Sequence, residues 1–196
     1  MLELFSGTGS VGRVAKELGY EVISLDLNSE SASIVTDILE WKYDEVDFVP
    51  DFIWASPPCD SYSTLNWLSS TRRNDRDPNT AEPFSERAKN GTRILHKTLE
   101  IIQHFLIYND NLRYVIENPA YSMMRRDPKM MLLHNEATSY NLWDDERYKP
   151  TRFWSNFNMN LPKPKKPKGG TKKTIRYAQQ SESYPIPEKL VRHLIL

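Results

Sequence analysis

The chain has 196 residues, which suits one α/β domain and excludes two large ones. Its 26 basic and 26 acidic side chains give a formal net charge of zero, so any site for a polyanion must be local. The single cysteine, Cys59, excludes an intramolecular disulfide and a cysteine-rich zinc site. No apolar stretch reaches the roughly 18 residues of a membrane span, and the first residues lack the pattern of a secretion signal, so we expect a cytoplasmic protein without membrane contact.

Hydrophobic periodicity predicts alternating strands and helices, the pattern of an α/β sheet. In chain order we predict a strand at 2–5, a helix at 11–18, a strand at 21–25, a short helix at 38–46, a strand at 51–55, a long helix at 85–108, a strand at 112–116, short helical pieces within 121–133, strands at 136–142 and 151–155 able to pair as a hairpin, and a helix at 187–196. Residues 31–37 are ambiguous. Residues 61–83 are polar and too long for an ordinary connector, so they predict a mobile loop or lid.

A glycine-rich loop joins the first predicted strand to the first predicted helix. In Gly7-x-Gly9-x-x-Gly12 the missing side chains let a ligand approach the backbone, and the start of the helix offers unpaired N–H groups. Asp26 ends the next strand, where such folds place a carboxylate for ribose hydroxyls. Together they predict a site for an adenosine-containing ligand; a tight turn with a capping aspartate is the alternative.

Two later strands end in reactive residues. The strand at 51–55 leads into Pro57-Pro58-Cys59, and the strand at 112–116 leads into Glu117-Asn118-Pro119. Because parallel strands end at one edge of a sheet, a thiol and a carboxyl group should meet beside the adenosine site. A lone cysteine is most often a small buried hydrophobe, but the preceding prolines at a strand end favour a nucleophile. The alternative role for Glu117 is that of an acid that caps a helix or lies on the surface. Nothing provides the nicotinamide pocket of a dehydrogenase.

The ordered motifs resemble those of the cytosine carbon-5 DNA methyltransferases, from residue 2 to about residue 155. The residues that carry the resemblance are Phe5-Ser6-Gly7-Thr8-Gly9, Asp26, Asp37-Ile38, Pro57-Pro58-Cys59 with Ser63, Glu117-Asn118 and Arg152. The resemblance implies an α/β fold of the Rossmann-like, S-adenosylmethionine-dependent methyltransferase type, with a mostly parallel sheet and a C-terminal antiparallel hairpin. It also implies that the partner is DNA, with double-stranded DNA expected before single-stranded DNA.

The resemblance assigns roles to these residues. Cys59, as thiolate, adds to ring carbon 6 of a cytosine rotated out of the duplex, Glu117 donates to ring nitrogen 3, and Arg152 contacts the base carbonyl. For Arg152, a plain charge on the strand surface is an equal alternative. The residues expected to bind S-adenosylmethionine are Phe5, Ser6, Gly7, Gly9, Asp26, Leu27, Asp37, Ile38 and Pro57. The residues expected to contact DNA are Pro58, Ser63, Asn118, Arg72, Arg73, Lys165, Lys166 and Lys168. The four histidines lack metal-ligand spacing, so we expect no metal.

Two basic segments are candidates for phosphate contacts. Residues 163–173 hold six lysines and no acids, and the loop after Cys59 holds Arg72, Arg73 and Arg76. Extended phosphate contact is one interpretation of the lysines, and a solvated linker is the other.

The chain departs from the family in its recognition region. Members of the family insert a large target-recognition domain between the arginine strand and the last cofactor motif, but only about thirty residues separate Ser155 from Tyr184. The usual terminal Gly-Asn-Ser is absent, and Pro119 stands where valine is more common. We therefore expect a catalytic domain at 1–160, a basic Pro/Gly/Lys segment at 161–175 and a helix completing the domain at 176–196. Short, phage-like members share this plan, which implies the host cytoplasm and sequence specificity from loops or a protein partner.

Three other functions stay open. The first is methylation of cytosine in RNA such as tRNA, because RNA-directed relatives share these motifs. The second is a degenerate methyltransferase fold that acts as a binding or regulatory subunit. The third, methylation of an amino group, is disfavoured because those enzymes place an aromatic residue after the prolines, where this chain has Cys59.

Overall fold

The computed structural model describes residues 1–27, 32–63, 75–167 and 185–196. Within these ranges seven strands form one sheet in the order β3-β2-β1-β4-β5-β7-β6. The strands are β1 (Leu2–Leu4), β2 (Ile23–Asp26), β3 (Ile34–Val35), β4 (Phe52–Ala55), β5 (Arg113–Pro119), β6 (Asn135–Ser139) and β7 (Pro150–Ser155). The helices are α1 (Ser10–Glu17), α2 (Glu86–Tyr108), α3 (Pro128–Met131) and α4 (Glu188–Ile195). Strands β1 to β5 pair in parallel, and β7 is antiparallel to both β5 and β6, which confirms the predicted sheet with its terminal hairpin.

The core lies in two layers, one on each face of the sheet. Strand β4 is buried along its whole length and alternates between the layers. Phe52 and Trp54 pack in the layer that contains α1 and α4, whereas Ile53 and Ala55 pack in the layer that contains α2. No helix in the described ranges is both long and apolar enough to span a membrane.

The long helix follows its prediction closely. Helix α2 begins after Ser85, whose side chain accepts a hydrogen bond from the N–H of Ala88 and so caps the helix. Its buried residues include Leu95, Leu99 and Ile102, which share one face at helical spacing. This face covers the sheet directly beneath the strands that carry the site.

The prediction of a helix at 38–46 is wrong. The structure has a turn at residues 38–40 and a short 3₁₀ helix at Tyr43–Glu45. The Asp37 carboxylate accepts from the N–H of Leu39 at 2.9 Å, a local bond that satisfies the backbone in a turn instead of a helix. The ambiguous residues before it contain the edge strand β3. Residues 140–142, predicted as the end of a strand, form another 3₁₀ turn.

Candidate active site

The predicted site residues converge at the carboxyl edge of the sheet. The strand order reverses at β1, which has β2 on one side and β4 on the other, and a crevice at such a reversal is the usual ligand site of open α/β sheets. The glycine loop follows β1, Asp26 ends β2, Cys59 follows β4 and Glu117 lies near the C-terminal end of β5, at the same edge. The structure therefore brings together the groups that the sequence placed at strand ends.

The glycine loop leaves its backbone open to a ligand. Gly7 and Gly9 have φ angles of +51° and +69°, and a Cβ built on either meets nothing within 4 Å. Helix α1 starts at this loop without a side-chain cap and without an acid in its first turn. The N–H of Gly7 donates to Oδ2 of Asp26 at 2.9 Å, which ties the loop to the end of β2. The open cradle with an adjacent carboxylate fits an adenosine-containing ligand.

The other expected cofactor residues differ in their exposure. Phe5 has a φ of +62° and lies half-buried against the core, and Ser6 is buried. Leu27 is 73% exposed beside Asp26. Asp37 is half-buried, whereas Ile38 packs inside the core and Pro57 is buried.

Glu3 supports the glycine loop from below, a feature that the sequence analysis missed. It is buried on β1, and its Oε2 lies where a Cβ on Gly12 would approach to 2.4 Å. Burial raises the pKa of Glu3 to about 7, while the N–H of Gly12 works in the opposite direction. A carboxyl group in a buried strand facing a glycine in the next helix was the signal available in the sequence.

Cys59 stands at the exposed mouth of the site, just before a short 3₁₀ helix at Asp60–Tyr62. The side-chain amide of Asn118 donates to the carbonyl of Pro57 at 3.0 Å, so β5 holds the loop that carries the thiol. Desolvation by surrounding protein and the charge of Glu117 raise the pKa of Cys59, and Lys149 lowers it. The thiol therefore depends on a nearby cation to ionise.

Glu117 is the buried acid of the site. Burial raises its pKa, so the carboxyl group is held toward its protonated form. Its Oε1 is buried without a hydrogen-bond partner among the described residues, and the ammonium group of Lys149 lies 3.7 Å from it. Buried polar atoms without partners are rare in folded proteins, which makes this oxygen a candidate to bind a ligand.

The structure does not bring Arg152 to this acid. Side chains alternate along a strand, and Arg152 pairs with Asn118, while Phe153 pairs with Glu117. The Arg152 side chain instead bonds to Oδ1 of Asn135, with Arg125 close enough to lower its pKa along with burial. Its Nε and Oδ1 of Asn118 are both buried without partners in the described structure. Arg152 as a contact to the base carbonyl stays a prediction.

The residues expected to contact DNA differ in their exposure. Arg76 is not a contact residue, because it is buried and its guanidinium donates five hydrogen bonds, to Ser61, Ala81, Ala88 and Thr92, while stacking 3.6 Å from the ring of Tyr62. Lys165 and Lys166 are exposed, Pro58 is exposed and Ser63 is half-buried. Arg72, Arg73 and Lys168 lie outside the described residues. No metal-binding group of acids, histidines or cysteine occurs in the described ranges.

Comparisons with known proteins agree with this architecture. The sequence profile of the D12 class N6 adenine-specific DNA methyltransferases matches residues 1–58. A probable DNA (cytosine-5)-methyltransferase of Frog virus 3 (isolate Goorha) is 29% identical over 168 residues, which span 83% of this chain and 73% of that protein. Neither likeness is broad or close enough to fix membership of one family.

Two solved structures share the fold. The Entamoeba histolytica methyltransferase EhMeth superimposes with a TM-score of 0.51 at 14% identity, over 84% of this chain and 56% of that chain. A mutant of DNMT2 from Spodoptera frugiperda superimposes with a TM-score of 0.50 at 16% identity, over 85% of this chain and 55% of that chain. This chain thus spans little more than half the length of each. Together the findings support a methyltransferase of Rossmann-like fold and imply S-adenosylmethionine as the cofactor.

Proposed function

We propose that this protein transfers a methyl group from S-adenosylmethionine to carbon 5 of cytosine in DNA. The observation that carries the proposal is one thiol beside one buried carboxyl group: Cys59 follows β4, Glu117 lies on the neighbouring β5, and the charge of Glu117 acts on the pKa of Cys59. Carbon 5 of cytosine is a weak nucleophile until a thiol adds to carbon 6 and an acid protonates the ring. A thiol and an acid are the groups that this chemistry requires.

Cys59 and Glu117 divide the reaction between them. The Cys59 thiolate bonds to carbon 6, the ring electrons shift toward nitrogen 3, and Glu117 donates its proton there, which leaves carbon 5 as the nucleophilic carbon of an enamine. The raised pKa of Glu117 keeps that proton available. S-adenosylmethionine supplies an electrophilic methyl group to that carbon. A base then removes the carbon 5 proton, the ring double bond re-forms, Cys59 leaves as thiolate and nitrogen 3 returns its proton to Glu117.

The cofactor residues are those of the crevice. The backbone at Gly7 and Gly9 would face the cofactor, Asp26 would accept from its ribose hydroxyls, and Phe5 and Asp37 would border its adenine. Each of these roles extends the family resemblance to the residues at this edge.

DNA is the proposed substrate for two reasons. The Frog virus 3 relative is named as a probable DNA methyltransferase. In addition, Ser139 ends β6 at the same edge of the sheet as Cys59, and its hydroxyl accepts from the N–H of Lys165 at 3.4 Å, so the exposed Lys165 and Lys166 lie along this edge at the β6 end of the sheet. Lysines there can contact phosphates while a cytosine rotates out of the duplex.

Methylation of adenine is the second candidate, because the matching D12 profile belongs to N6 adenine-specific enzymes. That match ends at residue 58, one position before Cys59. Enzymes that methylate amino groups carry an aromatic residue at this position. The residue that separates the two chemistries therefore favours cytosine carbon 5.

Labelled methyl transfer tests the proposal. The protein is incubated with labelled S-adenosylmethionine and duplex DNA, single-stranded DNA or tRNA, and the product nucleosides are separated. We expect 5-methylcytosine from duplex DNA, its loss in Cys59→Ser, and its retention in Lys189→Gln, which changes an exposed lysine on α4. N6-methyladenine, label in tRNA alone, or full activity of Cys59→Ser would each overturn the proposal.

A further inference from the structure

Lys149 is the cation that the described part of the chain places beside the acid of the active site, although no motif in the sequence pointed to it. It lies directly before β7, and its side chain is only 26% exposed. Its Nζ is 3.7 Å from Oε1 of Glu117 and donates to the hydroxyl of Tyr140 at 3.3 Å. The ammonium group of Lys149 thus lies beside the acid of the site, and its charge works against the burial that raises the pKa of Glu117.

Tyr140 and the local backbone hold Lys149 in this place. The carbonyl of Lys149 accepts from the N–H of Tyr140 at 3.3 Å and from the hydroxyl of Thr151 at 3.2 Å. The ammonium group also lies 4.8 Å from the centre of the fully buried Tyr140 ring. Tyr140 therefore contacts Lys149 through its backbone, its ring and its hydroxyl, which limits where the ammonium group can go.

Charged groups of both signs act on the pKa of Cys59. Glu117 on β5 and Asp60 in the adjoining turn both disfavour the thiolate, and the Asp60 carboxylate is paired with Arg87 of α2 at 3.0 Å. Among the described residues, Lys149 is the cation whose charge lowers the pKa of Cys59, and it lowers the pKa of Glu117 as well.

We propose that Lys149, held by Tyr140, is a positioning residue that orients Glu117 and supplies the positive charge under which Cys59 reacts. The separation of 3.7 Å from Glu117 is longer than a hydrogen bond, so the carboxyl group keeps an oxygen for the base. The inference rests on the proposed function for the reaction it serves, but the effect on Cys59 requires no substrate.

Alkylation of Cys59 measures this effect directly. Iodoacetamide reacts with the thiolate, and the chain has one cysteine, so the rate as a function of pH reports Cys59 alone. We expect Lys149→Gln to move the half-point of this profile to higher pH and to slow alkylation at neutral pH on the order of tenfold. Lys149→Arg, which keeps the charge, should stay near wild type. Lys189→Gln removes an equal charge from an exposed site and should match wild type.

A Lys149→Gln profile that superimposes on wild type, or a Lys149→Arg profile that moves with it, would overturn the proposal. If Lys149→Gln does not fold, as judged by thermal melting, Tyr140→Phe replaces it. That variant keeps the ring and removes only the hydroxyl that holds Nζ, so its profile should also move to higher pH, and an unchanged profile would count against Lys149. Alkylation needs neither cofactor nor DNA, so failure of methyl transfer alone would refute the proposed function and leave this result standing.

Discussion

Replacing Glu3 with glutamine should remove a pH-dependent loss of stability, measured as the free energy of unfolding. Glu3 lies buried on β1 beneath the glycine loop, and burial raises its pKa from 4.5 to about 7. A difference of this size corresponds to about 3 kcal/mol between the two protonation states. The unfolded chain releases this proton near its ordinary pKa, whereas the folded chain keeps it until the pH approaches 7. Between those values the folded state binds more protons, so stability falls as the pH rises and levels off above 7.

Urea unfolding followed by tryptophan fluorescence, from about pH 5 to about pH 8, measures the effect. The free energy of unfolding of Glu3→Gln minus that of wild type should increase by about 2.5 kcal/mol across this range. Glu40→Gln, a change at an exposed carboxyl group, is the matched control and should give a constant difference. A constant difference for Glu3→Gln as well would refute the reasoning, because it would mean that Glu3 ionises alike in both states.

Three further substitutions probe the supports of the site. Gly12→Ala should lower stability by about 1–3 kcal/mol, because its Cβ would lie 2.4 Å from Oε2 of Glu3; an unchanged melting temperature would contradict this contact. Arg76→Ala should cost about 3 kcal/mol or more in urea unfolding, since it strands the acceptors of five hydrogen bonds, and a cost below about 1 kcal/mol would mean that the buried arrangement is wrong. Asn118→Ala should leave S-adenosylmethionine binding intact in calorimetry and slow methyl transfer about tenfold or more, because the carbonyl of Pro57 loses its donor; full activity would show that this bond does not position the thiol.

The sheet could be predicted because its strands carry strong local signals. The buried strand β4 is a continuous apolar run that ends at two prolines, and α2 shows an apolar face over six turns with a serine cap. The helix predicted at residues 38–46 does not form, for a physical reason. Ile38 and Trp41 pack in the core, as helical spacing allows, but the Asp37 side chain accepts from the N–H of Leu39 and stabilises a turn instead. Periodicity alone does not detect such competition.

The candidate site could be predicted only where strand ends supply its residues. Cys59 follows β4, and Glu117 lies near the end of the adjacent parallel strand β5, so the order of the strands, which the sequence pattern predicted, brings them together. The positions of Arg152 and Lys149 relative to Glu117 could not be predicted in this way. The register of the antiparallel strand decides which of two nearby side chains lies on the same face as the acid, and the sequence pattern does not give that register. The buried Arg76 shows the same limit, since a charge in a polar loop gives no sign that a helix will bury it.

Trapping of Cys59 on DNA that contains 5-fluorocytosine tests the central claim most directly. After methyl transfer, a carbon 5 that carries fluorine has no proton to lose, so the bond between Cys59 and carbon 6 persists. With S-adenosylmethionine present, we expect a protein–DNA adduct that survives denaturation, maps by mass spectrometry to the peptide containing Cys59, and is absent for Cys59→Ser. Failure of the folded, cofactor-binding protein to form an adduct, or an adduct that persists in Cys59→Ser, would contradict the account.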